Sequence, residues 1–202
     1  MESRIFHRRN LPHFYPKKGV FFVTWRLKGS IPKKILFEMK LKMSENESGI
    51  DRHRKFFKQY DEWLDKMRTG PFHLSNPIIA EINFEAIIKI SEKHFDLIAF
   101  CIMSNHIHMV LRLNGGTLNL GQIMKILKRD TAYESNQALE ASGPFWQPES
   151  YDRFVRNVEE LERTVKYVLR NPVKAGFCKN ADEWKWSYFN LDLFSQMMSN
   201  GI

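Results

Sequence analysis

Hydrophobic residues along this chain fall into two kinds of run, short dense ones and longer ones with helical spacing. The segment GVFFVTWRLKG is dense in Val, Phe, Thr and Trp and is closed by Gly29, so it predicts a strand. Pro32 opens a helical stretch, KKILFEMKLKM, with apolar residues at Ile35, Leu36, Met39 and Met43. From Ser44 to about Gly70 the chain becomes charge-dense, with sparse aromatics that suit one amphipathic helix. This stretch reads as an insertion on the main fold.

Asn76 followed by Pro77 is a helix start, a capping side chain and then proline at the first helical position. The helix is expected to run to about Lys93, burying Ile78, Ile79, Ile82, Ala86, Ile87 and Ile90. Two strand-like runs follow, DLIAFCIM and HIHMVLRL, joined by a short turn at Ser104 and Asn105, which predicts an antiparallel hairpin. After Gly115 and Gly116 a helix covers roughly Leu118 to Leu139, with Tyr133 packed near Ile123 and Ile126. A loop containing SGPFWQPESYD leads to a helix from about Val158 to Arg170, stopped by Asn171 and Pro172 because the residue before proline avoids helical geometry. The aromatic tail DEWKWSYFNLDLF is expected to pack down. With no internal repeat, these elements predict one α+β domain over residues 1–202, helices against an antiparallel sheet, carrying the inserted helix at about 44–70.

Composition agrees with a folded chain, at 43% hydrophobic and 27% charged residues. The 31 basic residues outnumber 23 acidic ones, giving a net charge of +8 and directing attention to a polyanionic partner. Cys101 and Cys178 suggest neither a disulfide framework nor a cysteine metal site. The N-terminus, MESRIFHRRN, is charged where a signal peptide is apolar, and the longest apolar run, Leu97 to Met103, is too short to cross a bilayer. A cytoplasmic protein without membrane contact is expected.

The candidate chemistry comes from two elements. On the strand from His106 to Leu113, alternation puts Ile107, Met109, Leu111 and Leu113 on one face and His106, His108, Val110 and Arg112 on the other, so two imidazoles project side by side as ligands for a divalent metal. On the helix from Val158, the residues Val158, Leu161, Val165, Val168 and Leu169 form one stripe, and Tyr167 falls on the far side with Glu160, Arg163, Thr164 and Asn171. Asn171 lies one turn beyond Tyr167 and can point at the same place. A tyrosine nucleophile, an amide oxygen and a histidine pair make a metal-assisted phosphoryl-transfer site, in which a Lewis acid compensates for a phenol that ionises only near pH ~10.

Several blocks resemble those of a known family. MSNHIHMVLRL resembles the histidine–hydrophobic–histidine signature of the HUH single-tyrosine transposases, and SGPFWQPESYDRFVRNVEELERTVKYVLRNPVKAGF with DEWKWSYF is similar to blocks of the REP-associated tyrosine transposases. The resemblance runs from about Phe14 to Phe189, with 44–70 its least typical part. Ser104 departs from the proline often found there. It implies a ferredoxin-like domain, a divalent metal (Mg2+ or Mn2+), and cleavage and rejoining of single-stranded DNA beside a hairpin through a 5′-phosphotyrosine link. Tyr167 takes the family's nucleophile position, and His106, His108 and Asn171 the metal-ligand positions. A monomer or a homodimer fits the resemblance, as does a hairpin-binding protein that has lost catalysis. For DNA contact, Arg4, Arg8 and Arg9, then Lys17 and Lys18, then Lys125, Lys128 and Arg129 form basic clusters suited to phosphates, and Trp146 is suited to stacking on an unpaired base.

Overall fold

Strand pairing organises the molecule, and the run GVFFVTWR sits near its centre. The computed structural model describes residues 6–8, 12–14, 16–41, 49–66 and 70–202. Phe6–Arg8 (β1) and Pro12–Phe14 (β2) form a separate two-stranded ladder. Lys18–Arg26 (β3) is followed by helices Lys33–Leu41 (α1), Gly49–Asp65 (α2) and Pro77–His94 (α3). The expected hairpin is Asp96–Ile102 (β4) and His106–Asn114 (β5), after which come Leu120–Ala138 (α4), Tyr151–Val155 (β6), Val158–Lys174 (α5), Ser187–Phe189 (β7) and Leu191–Asn200 (α6). The main sheet has the order β6-β3-β5-β4-β7 with every pairing antiparallel. Counting only the unit β3-α3-β4-β5-α4-β6, its strands lie in the order 4-1-3-2, which is the ferredoxin-like arrangement within an α+β fold.

The sheet buries both faces, and alternation along β3 and β5 decides what each face receives. Phe21, Val23, Trp25, Ile107, Met109, Leu111 and Leu113 turn towards α3 and α4, whose Ile79, Ile87, Ile123 and Leu127 complete that core. Val20, Phe22 and Val110 turn the other way, to Leu161, Val165 and Val168 of α5 and Met197 of α6. Each such fully buried side chain contributes roughly 1.5–3 kcal/mol by leaving water, so both layers are needed to hold the sheet. Asn76 caps α3 as expected, its Oδ1 accepting from Ile78 N–H at 2.9 Å.

Four expectations change. Ile78 is 62% exposed, because the capping turn rolls the first position of α3 away from the sheet and Asn83 and Ala80 join the buried stripe instead. Tyr133 is 65% exposed, on the solvent side of α4. The loop after α4 contains a strand, β6, and the tail another, β7, both edge strands too short to show a period in sequence. Finally, α5 does not stop at Asn171. It passes through Pro172 in its last turns, where the ring removes one amide donor, and closes with Ala175 N–H on the Asn171 carbonyl at 2.9 Å and Gly176 at φ 77°, a left-handed cap that suits glycine.

The charge-dense stretch contributes α2, which uses two adjacent stripes. Phe56, Tyr60 and Leu64 pack with Ile31 and Met39 in a third apolar cluster, and buried Arg26 of β3 donates from Nε to the Tyr60 hydroxyl at 2.7 Å. Held this way, α2 turns its other stripe, Phe57, Asp61 and Asp65 at four-residue spacing, towards the sheet face that carries the histidines.

Candidate metal and nucleophile site

The β3–β5 register fixes the centre of the site: Thr24 pairs with His108 and Arg26 with His106. Both imidazoles are fully buried on the α5 face, so the alternation read from the sequence holds. Asn105 donates from Nδ2 to the Leu64 carbonyl at 3.5 Å, which leaves its Oδ1 to accept from His106 Nδ1 at 2.6 Å. That bond puts the His106 proton on Nδ1 and frees Nε2 as a lone pair. His108 Nδ1 lies 2.7 Å from the Thr24 hydroxyl, and the two Nε2 atoms face each other at 3.0 Å. Burial pushes the pKa of His106 down to about 3 and holds His108 well below its ordinary value, with neighbouring positive charge adding to both shifts. Both rings are therefore neutral near pH 7, the state a metal requires.

Two carboxylates from α2 face this pair, a contribution the sequence reading missed. Asp61 Oδ1 is 3.4 Å from His108 Nε2, and Asp65 Oδ1 is 3.8 Å from His106 Nε2. Neither oxygen has a hydrogen-bond partner, although both are buried. The four candidate donor atoms lie within 4.8 Å of one another. Opposite donors on a small divalent cation are separated by about 4–4.4 Å, so a modest contraction closes them on an ion. Two orphaned buried oxygens beside two nitrogens make a donor set that fits such a cation. Asp65 keeps its other oxygen for Lys174 Nζ at 2.6 Å, and Asp61 gives its other oxygen to the hydroxyl of Tyr167. Burial raises the carboxyl of Asp61 to about 8, helped by the charge of Asp65, and burial raises Asp65 as well.

Tyr167 comes to the site from α5, and Asn171 lies one turn further along the same helix. The Tyr167 ring meets His108 edge-on with centroids 5.4 Å apart, and Phe22 edge-on at 6.0 Å. It is half-buried on the flank of α5, not on a far side. The buried face of α5 is wider than the aliphatic stripe, because it also takes in Thr164 and Asn171. Asn171 is 1% exposed with both amide atoms unpartnered. A buried amide without partners costs free energy unless something else meets it, which suits the ligand role read from its position.

The expected DNA contacts are scattered. Arg4 and Arg9 lie outside the described residues, and so does the side chain of Arg8 in β1. Lys17 and Lys18 are exposed where β3 begins, six residues from Thr24 and so about 20 Å along the strand from the histidine end. Lys125 and Arg129 are exposed on α4, across the sheet from the site, with Arg129 paired to Asp130 at 2.6 Å. Lys128 is drawn inward, donating to the carbonyls of Gln147 and Pro148 at 2.9 and 3.1 Å, and burial lowers its pKa to about 7. Trp146 is 5% exposed in the α4 core, its Nε1 donating to Thr131 Oγ1 at 2.9 Å, so its ring offers no face for a base to stack on. No helix among the described residues is long and apolar enough to cross a membrane.

Residues 73–171, which carry both histidines, Tyr167 and Asn171, match the family described as "Transposase IS200 like". A REP-associated tyrosine transposase of Escherichia coli is 28% identical over 109 residues, covering 54% of this chain and 63% of that protein. A Haemophilus influenzae protein described as "Putative REP-associated tyrosine transposase" is 23% identical over 112 residues, covering 51% of this chain and 64% of its own length. The matches thus span under two thirds of these relatives. Among solved structures, a REP-associated tyrosine transposase bound to a REP hairpin superposes with a TM-score of 0.51 at 20% identity, over 96% of this chain and 86% of that one, which establishes the shared fold.

Proposed function

The chain is a relative of the REP-associated tyrosine transposases of the IS200-like family, and on that premise we propose that it is a metal-dependent endonuclease and strand-transferase acting on single-stranded DNA beside a hairpin. The observation that carries the proposal is the meeting of Tyr167 with the histidine and carboxylate cluster. Its ring rests on His108 and its hydroxyl donates to Asp61.

His106, His108, Asp61 and Asp65 would hold Mg2+ or Mn2+, with Asn171 as a further oxygen donor, and the bound ion would supply Lewis-acid polarisation of the scissile phosphate. Tyr167 Oη attacks phosphorus, the bond from phosphorus to the 3′ oxygen breaks, and the phenolic proton passes to Asp61 Oδ2, the acceptor already on it. The departing 3′ oxygen takes a proton from water, so the products are a 5′-phosphotyrosine and a free 3′-hydroxyl, which attacks in the reverse sense to rejoin strands. Packing against His108 and Phe22 restricts the Tyr167 ring, so the nucleophile is oriented before DNA arrives.

Incubating the protein with Mn2+ and a hairpin-bearing single-stranded oligonucleotide is expected to give a covalent adduct, read as a band shift that survives denaturation. Tyr167→Phe abolishes the adduct and retains hairpin binding. Cleavage that persists in Tyr167→Phe would sink the covalent mechanism, and hairpin binding with no cleavage in any divalent metal would leave a binding protein.

A further inference from the structure

Beside Tyr167 the surface is hollowed into a cavity of about 490 Å3 that the chemistry above leaves unused, lined by Phe22, Phe57, Tyr151, Arg153, Arg163 and Tyr167 itself. Its walls are aromatic. Phe57 stacks on Tyr151 with centroids 4.0 Å apart and meets Phe22 edge-on at 5.5 Å. Its polar side is organised by Arg153, which pairs with Glu160, donates to Thr164 Oγ1 at 3.1 Å and sits 5.7 Å over the Phe22 ring. The second Glu160 oxygen accepts from Arg156 N–H at 3.0 Å, so the carboxylate beside the cavity is compensated. Arg163 is exposed and adds positive charge where the cavity opens.

We infer that this cavity is a subsite for one unpaired nucleotide flanking the scissile phosphate, its base against the aromatic wall of Phe57 and its backbone beside Arg163. The inference rests on the reading of Tyr167 as nucleophile, because Tyr167 is the wall shared by cavity and metal site. A phosphate held at that hydroxyl places one adjoining nucleotide at the cavity. The volume lies within the roughly 300–1,000 Å3 of small-ligand pockets and suits a single nucleoside. The aromatic wall needs an exposed π-face, which an unpaired base has and a stacked duplex base lacks. Neither Phe57 nor Arg163 belongs to the proposed metal set. The stripe that delivers Asp61 and Asp65 thus also delivers the stacking residue one turn earlier.

The test uses the full chain in chelator, with Tyr167→Phe as background so that binding is read without cleavage. The probe is a hairpin-bearing oligonucleotide carrying 2-aminopurine at one position, moved stepwise through the unpaired flank on both sides of the stem. One position, on one side, is expected to be quenched on binding, and the side identifies which neighbour of the scissile phosphate is held. An abasic residue there weakens binding about tenfold, in the range of base–aromatic stacking, and the penalty vanishes in Phe57→Leu. Phe57→Tyr retains quench and penalty, which separates stacking from loss of packing, and circular dichroism verifies the fold of Phe57→Leu. Arg163→Ala lowers affinity at every probe position and reduces the salt slope by about one. Equal quenching at all positions, or an abasic penalty that persists in Phe57→Leu, overturns the subsite. A position-specific quench without any adduct in the wild type would instead count against the catalytic reading while preserving the subsite.

Discussion

Asp61 is the residue on which the site turns, since one oxygen faces the histidines and the other takes the Tyr167 hydroxyl. Its carboxyl is pushed up to about 8 by burial, from an unfolded value near 3.8. A folded value above the unfolded one means the fold favours the protonated form. That contribution is full below about pH 4 and is lost as pH rises towards 8. A cation needs the carboxylate, so binding expels the proton and tightens over the same window, while His106 and His108 are already neutral there. Mn2+ affinity measured by calorimetry is therefore expected to rise between pH 6 and 8, and two buffers of different ionisation enthalpy will reveal proton release at pH 6. Asp61→Asn should lower the affinity by more than the roughly 10–100-fold that follows loss of an outer-shell partner, and flatten the pH dependence. An affinity that is flat with pH in the wild type would remove Asp61 from the ligand set.

At the scale of elements, α2 is the part the sequence described least well. The hairpin, the histidine pair and the Tyr167–Asn171 spacing were legible because period 2 and period 3.6 leave a direct trace in residue order. The edge strands β6 and β7 were not, since five and three residues give no period, and among the described residues their outer edges are unpaired. The end of α5 was misplaced because a rule about the residue before proline yielded to packing that holds Asn171 and Pro172 against the sheet. Asp61 and Asp65 escaped because carboxylates in a charge-dense stretch look like a solvated face. The available signal was the spacing of Phe57, Asp61 and Asp65 beside Phe56, Tyr60 and Leu64, two stripes on one helix where an exposed helix has at most one. If α2 carries half of the donors, loosening it should empty the site without unfolding the sheet. Leu64 is fully buried under α2, and Leu64→Ala costs about 2–5 kcal/mol by cavity formation. Hydrogen exchange is expected to quicken throughout α2 while β3 and β5 stay protected, with Mn2+ affinity falling in parallel. Undiminished Mn2+ binding with a freely exchanging α2 would show that the helix is not part of the site.

Across the whole molecule, the net charge of +8 is distributed over surfaces that one short strand of DNA cannot touch together. Arg163 stands beside Tyr167, whereas Lys17 and Lys18 stand about 20 Å away along β3. That span corresponds to about six steps of duplex at 3.4 Å each. On the proposed reading, an unpaired oligonucleotide of one or two nucleotides at Tyr167 would end before it reached the lysine pair, and a hairpin whose stem followed the sheet would bring phosphates to it. Removing both charges in Lys17→Ala/Lys18→Ala is expected to lower the salt slope of hairpin binding by about two, since each phosphate contact contributes about one. The same variant should bind a short unpaired oligonucleotide with unchanged affinity and slope, and its adduct yield on that oligonucleotide should stay at the wild-type level. Equal losses on both ligands would mean that the lysines act through the general field of the protein, and no loss on the hairpin would direct the stem towards another surface, with Lys125 and Arg129 on α4 the next pair to test.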